Sequence, residues 1–390
     1  MGPMASTTTG YLLIADITGY TQYLSESELE HAQGVLSSLL EVLLGETRPP
    51  LVLSRLAGDA VISYALGDAF ANGQTFLELV ENTYVAFRRA IEKMVLNNTC
   101  KCNACANVGA LDLKFFVHHG TFARQKLSAH EELVGNDVNL LFRLLKNRVT
   151  EVTGLRAYAL YTDAAVQKLG LEGITESMRA HSETYEHIGE VKVWIQDMAP
   201  VWTARKQADR KPLHDTIGRW TVDIALDAAT VWSYLTEPSF LMKLLGTARL
   251  GYSDRKSGRV DLGTVIACYH GEHATMLTVI DWTPFERVLY DSVMHLPVST
   301  ASLLSEFSIE PIDGGVRLGQ AFGPPRGPWL GRNLARGFMG MISGRMQKDL
   351  DAFKALIEAD HASREARPEP TPLPTPEARS QAARESLSAS

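Results

Sequence analysis

The spacing of apolar residues in the first half of the chain alternates between strand and helix periods. The strand "YLLIAD" precedes an amphipathic helix, and two further strands surround Gly58-Asp59 before a second long helix. Later strands, "LDLKFFVHHGTF", "RAYALYT" and "YEHIGEVKVWIQ", are interspersed with more helical segments. This mixture predicts an α/β sandwich with a mixed or antiparallel sheet that closes near residue 200.

In the second half of the chain, the pattern of apolar residues predicts mainly strands. One strand, "GRWTVDIAL", and a helical stretch, "DAATVWSYLTEPSFLMKLL", are followed by a series of strands with a hairpin turn at Asp313-Gly314. A final helix is predicted from about Leu334 to Ile357. The fold class is therefore α+β, with two domains.

The domain boundaries follow from shifts in composition. A polar, basic segment around Pro212 reads as a linker, and the Pro-, Ala- and Ser-rich C-terminus reads as disordered. The predicted division is a disordered N-terminus with a cloning remnant (1–9), a first domain (10–200), a linker (201–214), a second domain (215–360) and a disordered tail (361–390).

Composition narrows the class of protein. The chain has 390 residues, 45% of them hydrophobic and 21% charged, which is typical of a soluble globular protein. The formal net charge of −7 gives no general reason to expect a nucleic-acid partner. No apolar run approaches the roughly 20 residues that a membrane span needs, and no secretory signal pattern is present. The sequence therefore predicts a cytoplasmic protein without a transmembrane segment.

Three of the four cysteines are crowded into "CKCNAC". Cys100, Cys102 and Cys105 have a spacing that suits a soft metal such as zinc, with a fourth ligand from elsewhere, for which His118 and His119 are candidates. A reduced, metal-free loop is the alternative. Cys268 stands alone and is predicted to be a small core residue.

The segment "ELVGNDVNLLFRLL" carries two polar residues inside an apolar helical pattern. Asn139 and Arg143 are four residues apart and therefore lie on one face of the predicted helix. Considered alone, the pair is explained by an ordinary first-turn residue and a solvated side chain.

Two aspartates stand where strands end. Asp16 closes "YLLIAD", and Asp59 lies in the turn between the next two strands. If these strands are neighbours in one sheet, the two carboxylates converge and are suited to hold hard divalent cations. Helix capping by Asp16 and a hairpin turn at Asp59 are the structural alternatives.

Four ordered motifs, "LLIADITGYTQYL", "RLAGDAVISYA", "LKFFVHHG" and "GNDVNLLFRLL", resemble the catalytic domain of class III nucleotidyl cyclases over roughly residues 10 to 200. The resemblance implies that Asp16, Ile17 and Asp59 bind two Mg²⁺ or Mn²⁺ ions. It implies that Asn139 orients the ribose and that Arg143 stabilises the phosphate in the transition state. It further implies a homodimer whose sites lie at the interface, with the acids from one subunit and the Asn/Arg pair from the other.

Positions that recognise the base depart from the pattern of the ATP-using members. Arg55 replaces their lysine, and Glu132 occupies the position of their acid. Arginine and glutamate still offer adenine one hydrogen-bond donor and one acceptor, but cytosine and guanine remain alternatives. Arg55 and Glu132 are also able to pair with each other and close the pocket. Lys192 is the nearest candidate for the family's triphosphate-binding lysine, although Trp194 occupies a neighbouring place on the same strand face.

The second half resembles the START-like, Bet v 1-like (SRPBCC, helix-grip) superfamily. The resemblance implies a curved antiparallel sheet around a long C-terminal helix and an apolar cavity for a small molecule. The candidate cavity residues are Trp282, Tyr290, Phe338, Met341 and His270, with plain core packing as the alternative.

The leading hypothesis is a cyclase that converts a nucleoside triphosphate, most simply ATP, into a 3′,5′-cyclic nucleotide and pyrophosphate by a two-metal mechanism. An apolar ligand of the second domain would regulate it. The alternative is a catalytically inactive cyclase-like module that dimerises or binds nucleotide and is attached to a sensor domain.

Overall fold

A computed structural model describes residues 7–97, 100, 102–127, 130–171, 173–207, 213, 215–270, 273–296 and 299–366. Within them the chain forms two separate β-sheets, each accompanied by helices. This arrangement confirms the predicted α+β class.

The first sheet has eight strands in the order β2-β3-β1-β4-β6-β8-β7, with β5 paired to β4. Its strands are β1 (Thr7–Thr18), β2 (Val52–Ala57), β3 (Ala60–Leu66), β4 (Asp112–Leu127), β5 (His130–Val134), β6 (Tyr158–Thr162), β7 (Arg179–Tyr185) and β8 (Gly189–Asp197). Strands β4 and β6 pair in parallel, whereas the other pairs are antiparallel. The sheet is therefore mixed, as predicted.

Helices cover this sheet unequally. They are α1 (Tyr20–Ser25), α2 (Leu29–Glu46), α3 (Gly73–Leu96), α4 (Asn103–Asn107), α5 (Asn136–Leu144), α6 (Val149–Thr153), α7 (Asp163–Leu169) and α8 (Ala199–Gln207). One face of the sheet forms a large core with α2 and α3. The other face forms a smaller core with α5, through side chains such as Leu12, Ile14 and Leu141. Side chains alternate along a strand, so even-numbered residues of β1 point toward α5.

The second sheet has seven antiparallel strands in the order β10-β11-β12-β13-β14-β15-β9. They are β9 (Gly218–Ile224), β10 (Arg249–Ser253), β11 (Val265–His270), β12 (His273–Thr283), β13 (Arg287–Leu296), β14 (Ser299–Ile312) and β15 (Gly315–Phe322); the helices are α9 (Ala228–Thr236), α10 (Pro238–Leu245) and α11 (Trp329–Glu365). The long helix α11 packs on the sheet through Leu350, Phe353 and Ile357. A sheet closed by a long C-terminal helix is the predicted helix-grip arrangement.

Several element boundaries differ from the sequence predictions. Strand β1 begins at Thr7, inside the segment predicted to be disordered, because residues from Thr7 onward pair with β4. Helix α8 occupies the start of the predicted linker, whereas 208–212 and 214 lie outside the described residues. Helix α11 starts at Trp329 and continues to Glu365, five residues into the predicted tail, and residues 367–390 lie outside the described residues.

Helix α3 also joins the two domains through buried charges. Arg259 donates two hydrogen bonds to Glu81, at 2.7 and 2.8 Å. Glu78 is 1% exposed and accepts hydrogen bonds from the indole nitrogens of Trp232 and Trp282, each at 2.7 Å. Burial raises the pKa of Glu78 to about 7, although Arg259 and the hydrogen-bond donors oppose that rise. The second domain is therefore attached to the face of the first sheet that carries α2 and α3, opposite the face that carries α5.

Candidate active site

The two candidate metal-binding aspartates lie side by side at one end of the first sheet. Asp16 pairs in register with Ala60, the residue after Asp59, and the Ile17 amide donates to the Asp59 carbonyl at 3.3 Å. Gly58 has a φ of 65°, a conformation that favours glycine and allows the tight β2–β3 turn. The convergence expected from the sequence is present because β1 and β3 are sheet neighbours.

The electrostatics of this pair suit a cation. Burial and, to a smaller extent, the nearby Asp59 carboxylate raise the pKa of Asp16 to about 6 against the opposing charge of Lys114. Burial also raises the pKa of Asp59. Two adjacent half-buried carboxylates are a donor set that fits Mg²⁺ or Mn²⁺, because a divalent cation removes their mutual repulsion.

Helix α5 presents the second half of the candidate site. Val138, Leu141 and Leu144 are buried beneath the helix. Asn139 and Arg143 are exposed on its outer face, and neither side chain has a hydrogen-bond partner in the described part of the chain. The sequence spacing therefore places both groups on one surface, ready to contact a molecule outside this chain.

A contact between β4 and Asp137 holds the start of α5 in place. The Thr121 amide donates to the Asp137 carboxylate at 2.6 Å, and His118 Nε2 lies 3.4 Å from the same carboxylate. Gly120 permits this approach, since a Cβ atom there would overlap the Asp137 side chain. Sequence reasoning missed Asp137 as a positioning residue. Its place in the first helical turn was the available signal.

The acid pair and the α5 pair occupy the same face of the sheet but do not meet. Asp16 has the same parity along β1 as Leu12 and Ile14, which pack toward α5. Among the described residues, no ion pair joins Arg143 to Asp16 or Asp59. One chain therefore carries the acid pair and the Asn/Arg pair at two separate places.

The candidate base-recognition residues pair with each other. Arg55 Nη1 lies 3.0 Å from Glu132 Oε1, and the guanidinium also lies over the Phe142 ring at 5.3 Å from its centroid. Both side chains of the ion pair are about two-fifths exposed, so the contact is readily exchanged for other partners. Of the two arrangements left open by the sequence, the structure has the direct pair.

Lys192, the candidate phosphate-binding lysine, lies on the face of the first sheet opposite α5. Its neighbours Val193 and Ile195 point into the core beneath α5, so Lys192 points to the opposite face together with Trp194. The Trp194 indole donates to Asp163 at 3.0 Å on that side. Strand parity therefore places Lys192 on the opposite face of the sheet from α5, which carries Asn139 and Arg143, and its phosphate-binding role stays a prediction.

The three clustered cysteines do converge, but with a different histidine from those expected. His31, in the first turn of α2, joins Cys100, Cys102 and Cys105 with all four ligand atoms within 4.8 Å of one another. His118 is bonded to Thr162 on the α5 side of the sheet, and His119 is buried in β4, where burial lowers its pKa to about 4. Neither expected fourth ligand is part of the group.

A cavity of about 640 Å³ lies between the second sheet and α11. Its lining is mostly apolar and includes Leu277, Leu303, Phe307, Phe338, Met339 and Ile342. Of the expected residues, Phe338 and His270 belong to this lining.

The other three expected cavity residues are corrected. Trp282 turns toward Glu78 of the first domain, and Tyr290 packs in the sheet core. Met341 is 74% exposed, because Met339 is the residue of this turn that faces inward. Cys268 is buried as predicted and also lines the cavity.

Fold and site together define a two-domain α+β protein in which an acid pair and an Asn/Arg pair share one sheet face, joined to a helix-grip domain with a cavity. Residues 219–358 match the family model described as polyketide cyclase/dehydrase and lipid transport. Residues 36–153 match a family described as a protein of unknown function (DUF2652). The uncharacterized protein Rv2561/Rv2562 of Mycobacterium tuberculosis is 29% identical over 167 residues, which cover 42% of this chain and 74% of that protein.

Solved structures similar to the N-terminal half are adenylyl and guanylyl cyclase domains. A bacterial light-regulated adenylyl cyclase is 10% identical, with a TM-score of 0.39, over 53% of this chain and 59% of that one. The guanylyl cyclase Cya2 is 12% identical, with a TM-score of 0.36, over 49% of this chain and 92% of that one. The adenylyl cyclase CyaB from P. aeruginosa is 12% identical, with a TM-score of 0.35, over 49% and 94%. At these identities the likeness concerns the fold alone.

Among the described helices, none combines the length and apolar character needed to cross a membrane.

Proposed function

We propose that the protein is a nucleotidyl cyclase that converts a nucleoside triphosphate, with ATP as the first candidate, into a 3′,5′-cyclic nucleotide and pyrophosphate. The observation that carries the proposal is that one face of the first sheet bears two half-sites. Asp16 and Asp59 form one half, and Asn139 and Arg143, exposed without partners in the described chain, form the other.

Each of the four side chains has a proposed role that follows from its chemistry. The Asn139 amide offers directional hydrogen bonds to ribose oxygens, and the Arg143 guanidinium offers a planar charged fork to phosphate oxygens. Asp16 and Asp59, with Ile17 beside them, would hold divalent cations, which lower the pKa of the attacking ribose hydroxyl and stabilise the leaving oxygens. Arg143 would then meet the negative charge that develops on the α-phosphate in the transition state.

Arg55 and Glu132 are the proposed base-recognition pair. A guanidinium donates to an acceptor nitrogen of the base, and a carboxylate accepts from an exocyclic amine, which together match adenine. The two side chains are paired with each other at 3.0 Å. Nucleotide binding therefore requires this ion pair to break so that each side chain can bind the base. That direct pair is also the observation that favours the second candidate, an inactive cyclase-like module.

A cyclisation assay distinguishes an active cyclase from an inactive cyclase-like module. The purified protein, incubated with ATP, GTP, CTP or UTP and Mn²⁺, is expected to release a cyclic nucleotide from at least one of them. Asp59→Asn should abolish that product with the fold unchanged, because the substitution keeps the side-chain shape but removes the charge that binds the metal.

Asp313→Asn is the matched control, since Asp313 lies in an exposed hairpin turn of the second domain. It should cyclise like the wild type. Near wild-type turnover by Asp59→Asn would remove the metal assignment, and absence of product from all four nucleotides would leave the inactive module.

The helix-grip domain is proposed to bind an apolar small molecule that tunes this activity. The cavity volume of about 640 Å³ is within the usual range for small-ligand sites. A buried hydrogen bond of 2.7 Å between the Ser292 and Ser305 hydroxyls lies in its wall and adds a polar group to the apolar lining.

Solvent extraction followed by mass spectrometry tests this ligand. The full chain is expected to release an apolar compound, and Thr275→Phe should lower the recovered amount several-fold, because Thr275 lines the cavity opposite Cys268 and the larger ring fills it. Ala267→Phe is the control, since Ala267 alternates with the cavity residue Cys268 and points away. Equal recovery from both variants would show that the compound is not held in this cavity.

A further inference from the structure

The loop before β4 and the start of α2 meet at a group of soft metal ligands. His31 lies in the first turn of α2, about 70 residues earlier in the chain than Cys100, Cys102 and Cys105. All four ligand atoms lie within 4.8 Å of one another. The two segments thus supply one nitrogen and three sulfurs to a single point.

The distances match a tetrahedral metal site. His31 Nδ1 lies 3.1 Å from Cys102 Sγ, 3.6 Å from Cys100 Sγ and 3.9 Å from Cys105 Sγ. With metal–sulfur bonds of about 2.3 Å and metal–nitrogen bonds of about 2.0–2.1 Å, tetrahedral geometry places nitrogen and sulfur about 3.6 Å apart. Ordinary hydrogen bonding does not explain the arrangement, because one imidazole nitrogen has a single proton or lone pair and cannot bond three thiols.

Surrounding contacts hold the ligands in place. The Cys105 amide donates to Cys102 Sγ at 3.4 Å, which stabilises a thiolate in the C-x2-C turn. Tyr23 donates from its hydroxyl to the Ala104 carbonyl at 2.8 Å, and the Ala104 amide donates to Glu28 at 3.1 Å. Ala104, which lies between Cys102 and Cys105, is therefore held by α1 and by the residue that precedes α2, as the partners around structural metal ligands commonly are.

We propose that His31, Cys100, Cys102 and Cys105 bind a structural Zn²⁺ ion that joins the start of α2 to the loop between α3 and β4. All four positions are filled by protein ligands, which is the pattern of structural rather than catalytic zinc. The ion is separate from the proposed cyclase metals, since sulfur and imidazole ligands select zinc whereas Asp16 and Asp59 select hard cations. Through α1, which directly follows β1, the site would restrain the segment next to Asp16.

Metal analysis of protein purified without chelators tests the site. About one zinc ion per chain is expected, and Cys102→Ser should reduce it to about a fifth or less. His31→Ala keeps three ligands and should lose its zinc to a competing chelator at a concentration at least about tenfold lower than the wild type does. Cys268→Ala and His187→Ala are the controls, because Cys268 lies in the second domain and the His187 side chain is 84% exposed. Both should retain the metal.

Cobalt replaces zinc as a spectroscopic probe, which keeps the test independent of enzyme activity. Co²⁺ added to the metal-depleted full chain is expected to give sulfur-to-cobalt charge-transfer bands and the strong visible absorption of tetrahedral cobalt. His31→Ala should alter the visible bands while retaining charge transfer. Wild-type protein without bound metal, or with a disulfide among these cysteines, would overturn the proposal. A cobalt spectrum identical in His31→Ala would overturn the assignment of His31.

Discussion

Mixing two inactive variants, Asp59→Asn and Arg143→Ala, is expected to restore cyclase activity. If each site takes its acids from one subunit and its Asn/Arg pair from the other, a two-fold homodimer of either variant has a lesion in both sites. In a mixed dimer one site collects both lesions and the other collects none. Random exchange makes about half of the dimers mixed, so roughly a quarter of wild-type activity should return.

The matched control is a mixture of Asp16→Asn with Asp59→Asn. These lesions belong to the same half-site, so every site in their mixed dimer keeps one of them and no activity should return. If dimers shown by mass to contain both Asp59→Asn and Arg143→Ala subunits stay inactive, the shared site is wrong. The exposed Asn139 and Arg143 would then be ordinary surface residues of α5.

Arg259→Ala should be the most destabilising single substitution at the domain interface. Arg259 makes both of its bonds to Glu81, whose side chain is 9% exposed, so its removal leaves a buried carboxylate without its cation. Removing one partner of a buried ion pair costs about 3–5 kcal/mol. Burial raises the pKa of Glu81, but Arg259, together with the Gln196 hydrogen bond and the charge of Arg205, outweighs that rise and keeps the pKa below its usual value.

Arg317→Ala is the comparison for that result. Arg317 also makes a two-pronged pair, with Asp223 at 2.7 and 3.0 Å, but those side chains are 45% and 53% exposed. An exposed pair is screened by solvent and contributes little, so the unfolding temperature measured by calorimetry should fall much less than in Arg259→Ala. Equal effects of the two substitutions would mean that the Glu81 contact is not buried between the domains in solution.

The interface accounts for one error of the sequence-based assignment. Trp282 has the size and polarity of a cavity residue, yet its indole nitrogen donates to Glu78 across the domain boundary. Glu78 and Glu81 lie within an amphipathic helical pattern, where acids ordinarily face solvent. Their burial depends on a second domain that covers this face of α3, and local sequence does not reveal which surface another domain will cover.

Local pattern by itself determined much of the protein. Strand and helix periods identified both domains, because side-chain direction repeats with the backbone geometry of each element. The i, i+4 spacing placed Asn139 and Arg143 on one exposed helix face, and the apolar run "YLLIAD" placed Asp16 near the end of a strand. The approach of Asp16 to Asp59 depends instead on the pairing of β1 with β3. Spacing within "CKCNAC" was enough to suggest a metal loop.

Tertiary structure alone decided which distant groups meet. His31 joins cysteines about 70 residues away because α2 packs beside the loop before β4, a contact that no spacing rule contains. The Lys192 side chain points away from α5 because the pairing of β8 with β6 and β7 sets which residues of β8 face each side of the sheet. Periodicity fixes the direction of a side chain relative to its own element. The partners it reaches depend on how elements pack, and that packing minimises exposed apolar surface over the whole chain.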